Sequence, residues 1–71
     1  MNLFQVVELI KEVPGCNLKK GDRGVIVEIF NSPYLAYEVE FVDQNGRTIE
    51  EIALTPDFIR LCSETRGDVM D

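Results

Sequence analysis

Residues Leu18 to Phe30 read L-K-K-G-D-R-G-V-I-V-E-I-F, a polar turn with two glycines and an aspartate that runs straight into a β-branched segment. Gly21 accepts positive φ and the Asp22 carboxylate can fold back onto nearby backbone N–H groups, so 19–22 is expected to be a tight turn. Gly24 opens the strand that follows. An isolated glycine there marks a bulge or a close backbone approach, which a small barrel needs at its corners. Val25 to Phe30 is then a strand with two partly apolar sides, Val25/Val27/Ile29 and Ile26/Glu28/Phe30.

Working outward, the Leu35–Val42 segment L-A-Y-E-V-E-F-V alternates cleanly. Tyr37, Val39 and Phe41 point one way and Glu38 and Glu40 the other, the period of a half-buried antiparallel strand. Asn31-Ser32-Pro33 is the turn before it and Asp43-Gln44-Asn45-Gly46 the turn after it, Asn-Gly being a strong hairpin signal. Arg47–Leu54 is the returning strand. Ile49 and Ile52 fall on opposite faces of it, which predicts a bulge or bend near Glu50-Glu51. Upstream, Gln5–Val13 is β-branched-rich and stops at Pro14-Gly15. It reads as a strand, although Phe4, Val7 and Lys11 would also share a helical face. Downstream, Thr55-Pro56-Asp57 has the N-cap and first-turn residues of a single helical turn, and Phe58–Leu61 is short enough to pass from a 3₁₀ turn into a last strand.

About five short strands with Gly/Pro/Asn turns and one 3₁₀ turn before the last describe an all-β, small SH3-like barrel. Closing such a sheet buries Val25, Val27, Tyr37, Val39, Phe41 and Phe58 and removes open strand edges. The barrel is expected over residues 1–62, with 63–71 a flexible acidic tail.

The 71 residues fit one domain and leave little room for a pocket beside the core. No run approaches the roughly 18 apolar residues of a membrane span, and the start lacks the features of a secretory signal, so a cytoplasmic location is expected. The net charge is −6 and histidine is absent, which removes the usual general base and the commonest metal ligand. Cys16 and Cys62 lie far from any metal or redox spacing and are read as free thiols.

In order, Leu18-x-x-Gly21-Asp22-x-Gly24-x-Ile26-Val27-Glu28, Tyr37-Glu38-Val39-Glu40-Phe41, Asn45-Gly46-Arg47 and Leu54-x-x-x-x-Ile59-Arg60 resemble the bacterial domain of unknown function 4926 family. The resemblance covers about residues 5 to 61. It implies an SH3-like barrel and a gene-pair context like that of toxin–antitoxin systems, and it implies no catalytic residue.

Three functions compete. Catalysis is disfavoured, because Glu38/Glu40 and Glu50/Glu51 read as a solvated outer face and no histidine activates Ser32, Ser63 or either cysteine. No catalytic residue, metal site or cofactor is expected. Nucleic-acid binding is the runner-up: Lys19, Lys20, Arg23 and Arg47 sit at turns, but the acidic balance opposes phosphate contact. The favoured reading is a non-catalytic protein-interaction module with a basic partner, using Glu28, Glu38, Glu40, Glu50 and Glu51 with the aromatics Phe30 and Tyr34; Phe4 is a further candidate for the patch. A homodimer through an open sheet edge is the variant of this reading.

Overall fold

The computed structural model describes residues 1–62, and the expected tail at 63–71 lies outside the described residues. Five strands follow in chain order: β1 (Val6–Leu9), β2 (Arg23–Phe30), β3 (Ala36–Val42), β4 (Thr48–Leu54) and, after a 3₁₀ turn at Pro56–Phe58, β5 (Ile59–Leu61). They form one sheet in the order β4-β3-β2-β1-β5 with every neighbouring pair antiparallel. The fold is therefore all-β, with the 3₁₀ turn before the last strand as the sequence predicts. Among the described residues no helix is long and apolar enough to cross a membrane.

β1 is shorter than the expected Gln5–Val13. It lies between β2 and β5, and both partners end beside Leu9. The Leu9 N–H donates to the Asp22 carbonyl at 2.9 Å and the Ile10 N–H to the Phe58 carbonyl at 2.8 Å. Beyond that point no strand remains to pair with. The Lys11 ammonium instead reaches the Asp57 carboxylate at 2.7 Å and lies 5.2 Å from the centre of the Phe58 ring. Hydrogen bonds from Lys11 and then from Thr55 hold the Asp57 carboxyl down to about 2. The Thr55 hydroxyl thus serves Asp57 and makes no bond to a backbone N–H of the turn it precedes.

The core comprises Val7, Leu9, Leu18, Ile26, Tyr37, Val39, Phe41, Leu54 and Ile59. Its largest fully buried side chain is Phe41. Val25 and Val27, expected inside, are only half-buried, and Ile26 takes the core position on β2. The reason is a bulge. Ile26 pairs with Val39 but Glu28 pairs with Glu38, so Val27 is an extra residue and the inward face passes from Ile26 to Ile29. Phe58 is half-buried against the core. A second irregularity, expected near Glu50-Glu51, falls at Ile49, because Phe41 pairs with Glu50 and Val42 with Thr48.

Two glycines in the stretch that begins β2 carry different constraints. Gly21, at φ 95°, sits third in the 19–22 turn, where L side chains are strained; a Cβ there would meet only the end of Glu8, at 4.0 Å. Gly24 is buried against β3. A Cβ on it would stand 2.7 Å from Val39 Cγ1, 2.8 Å from the Glu40 carbonyl oxygen and 2.9 Å from Phe41 Cδ1. Two of these neighbours are fully buried core side chains and the third is backbone, so nothing can move cheaply. Gly24→Ala is expected to cost about 2–3 kcal/mol by overpacking, and Gly21→Ala about 1 kcal/mol through left-handed backbone strain. Urea denaturation of the two variants checks the order; equal losses would refute the close-approach account.

Candidate functional site

Directly paired residues on neighbouring strands project from the same side of a sheet. Glu28 of β2 pairs with Glu38 of β3, and Glu40 of β3 pairs with Glu51 of β4. Glu38 and Glu40 alternate with the buried Tyr37, Val39 and Phe41, so all four carboxylates occupy the outer face of β2–β3–β4. Glu50 does not join them. It pairs with Phe41 on the side facing the core, where it is half-buried, since successive strand residues point to opposite faces. The expected five-carboxylate surface is therefore a four-carboxylate one.

The arrangement is costly by itself. Two like-charged pairs sit directly across strands, where Cβ atoms are about 5 Å apart and like charges are destabilising. The Thr48 hydroxyl offsets part of this by donating to Glu40 Oε2. Glu38 lies centrally. Its partial burial, a hydrogen bond shared with the Glu51 carboxyl, and the charges of Glu51 and then Glu28 all push its pKa above the ordinary value of 4.5.

Basic residues lie elsewhere on this side of the sheet. Arg23 pairs across the strands with Glu8, and Glu8 with Arg60, whose Nη2 donates to Glu8 Oε1 at 2.8 Å. The β2–β1–β5 end thus carries a mixed row. Lys19 and Lys20 are exposed in the 19–22 turn and Arg47 in the β3–β4 turn. The β1–β2 and β3–β4 turns lie at the same end of the antiparallel strands, so the four basic residues named from the sequence all sit in or beside that one end. Among the described residues no group of three or more His, Cys, Asp or Glu side chains is placed to hold a metal ion. Cys16 and Cys62 form no disulfide.

The aromatic candidates are exposed. Phe30 stands two residues along β2 from Glu28, pairs with Ala36 and is 41% exposed; Tyr34, in the turn that contains the cis Ser32–Pro33 bond, is 63% exposed. Phe4 is more exposed still, at 72%, and its φ is 68°, the only positive φ outside glycine among the described residues. For an L-residue this conformation costs about 1 kcal/mol or more. The period-2 pattern carried no signal for it, because the segment lies before β1.

The chain matches the model of the Domain of unknown function (DUF4926) family over residues 3–61. It belongs to that family. A search of the curated proteins and of the solved structures found no significant match. The DUF4926 match takes in all five strands, the four outer carboxylates and all three exposed aromatics, so these features lie within the family's own domain.

The pKa of Glu38 fixes the sign of a pH effect. A carboxyl whose folded pKa is raised binds more protons folded than unfolded, so stability falls as pH rises through the window that starts at 4.5. Glu38→Gln removes the repelled charge. It is expected to stabilise the domain by about 0.2–1 kcal/mol at neutral pH, with the gain fading as pH falls towards 4.5. Chemical denaturation at several pH values reads this; a destabilised variant at neutral pH would refute the repulsion.

Proposed function

We propose that this protein is a non-catalytic protein-interaction module that docks a basic protein partner on the outer face of β2–β3–β4. The observation that carries the reading is the pair of cross-strand like-charge contacts, Glu28–Glu38 and Glu40–Glu51. Repulsion held in place by the fold is relieved when Lys or Arg side chains lie between the carboxylates, so part of the cost of folding becomes affinity. Phe30 and Tyr34 flank the charged area and supply the apolar contact that charge alone does not. In a toxin–antitoxin-type gene pair, the context suggested by the family resemblance, this would be the acidic, antitoxin-like member, acting in the cytoplasm without a cofactor. Glu50, on the other side of the sheet, is not part of the docking face.

The test uses the whole chain as bait in its native host, as wild type and as the Glu38→Gln/Glu40→Gln variant. A basic protein that is retained by the wild type, released by salt and lost with the variant is the expected result, since exposed charge contacts are screened within about 10 Å at 0.1 M salt. Retention that is equal for both baits, or insensitive to salt, would overturn the assignment of the face. Nucleic acid in the eluate in place of protein would favour the runner-up.

A further inference from the structure

The chain builds one bulged turn twice, at opposite ends of the β1–β2 pair. In the 19–22 turn the Asp22 N–H donates to the Lys19 carbonyl at 3.1 Å, the Gly21 N–H to the Leu9 carbonyl at 2.8 Å, and the Leu9 N–H to the Asp22 carbonyl at 2.9 Å. In the 2–5 turn the Gln5 N–H donates to the Asn2 carbonyl at 3.3 Å, the Phe4 N–H to the Ile26 carbonyl at 2.6 Å, and the Ile26 N–H to the Gln5 carbonyl at 3.0 Å. The side-chain bonds also correspond: the Lys19 N–H donates to Asp22 Oδ2 at 3.0 Å and the Asn2 nitrogen to Gln5 Oε1 at 2.7 Å. This is the bulge whose first residue is left-handed and ordinarily glycine. Gly21 fills that position at φ 95°; Phe4 fills the same position at φ 68°.

Packing does not account for the phenylalanine, because the residue is 72% exposed. The chain therefore holds an aromatic ring out in solvent from a backbone position that favours its removal. Strain of this kind, kept where a smaller residue would serve better, points to a contact made outside the fold. The Phe4 N–H donates to the carbonyl of Ile26, which lies two residues along β2 from Glu28, across the bulge at Val27. We propose that Phe4 is an aromatic anchor for the same partner, contacted by apolar side chains of a basic segment whose Arg or Lys residues lie over Glu28 and Glu38. The inference rests on the acidic docking face argued above. It adds a second requirement, since a purely cationic segment would satisfy the carboxylates and leave Phe4 exposed.

Two fluorescent peptides separate these claims, one alternating Arg and Leu and one alternating Arg and Ser, titrated with the full chain. The wild type is expected to bind both, the Arg/Leu peptide about tenfold more tightly, as burial of an aromatic surface provides. Phe4→Gly and Phe4→Asn are each expected to raise Tm, by about 4 °C for glycine, and to bring the two affinities together. Glu38→Gln/Glu40→Gln is expected to weaken both peptides and keep their ratio. A lowered Tm in both Phe4 variants would make Phe4 a packing residue, and an unchanged preference would place the anchor elsewhere; either result overturns this inference alone. Binding of neither peptide overturns the acidic face, and Phe4 with it.

Discussion

The absence of a side chain at Gly24 is the constraint on which the rest of the sheet depends. It lets the start of β2 lie against β3 with no room for even one carbon between Gly24 and Val39, the Glu40 carbonyl and Phe41. β2 can then pair with β1 on one side and β3 on the other, which places Val7 and Leu9 over the same core as Ile26, Val39 and Phe41. β5 has only three residues and is held through β1, so it too depends on where β2 sits.

That placement creates the surface opposite the core. Once Tyr37, Val39 and Phe41 are turned inward, Glu38 and Glu40 must face out, and the registers with β2 and β4 bring Glu28 and Glu51 beside them. The core favours this register through burial and the outer face opposes it through repulsion. Burial wins, because each fully buried large apolar side chain contributes about 1.5–3 kcal/mol and each like-charge pair costs about 1 kcal/mol or less.

Phe4 presents the same conflict in a different form. A left-handed backbone is required for the 2–5 turn to close on Ile26, and the residue that meets it is an exposed aromatic. Charge repulsion on the outer face and backbone strain beside it are both places where local preference and the fold disagree. In a domain of this size, where the stability margin is narrow, such disagreements mark the surfaces where function is most reasonably sought.

Strand alternation in Leu35–Val42, turn chemistry at Gly21-Asp22 and Asn45-Gly46, and the Thr55-Pro56-Asp57 turn are local properties, and they determined the all-β class, the strand order along the chain and the 3₁₀ turn before β5. The close approach at Gly24 was likewise readable, because only glycine fits such a contact. What the tertiary structure decided was register. The extra residue at Val27 moved Ile26 into the core and left Val25 and Val27 half-buried, and pairing with Phe41 turned Glu50 towards the core. That Glu50 and Glu51 face opposite ways follows from strand alternation alone, and register decided only which of the two faces the core. The change at Val27 has no local signature, since a bulge changes which face a residue occupies without changing the residue. The strain at Phe4 was hidden for the same reason: the backbone bond from Ile26 to Gln5 imposes it, and that bond exists only when β2 lies alongside.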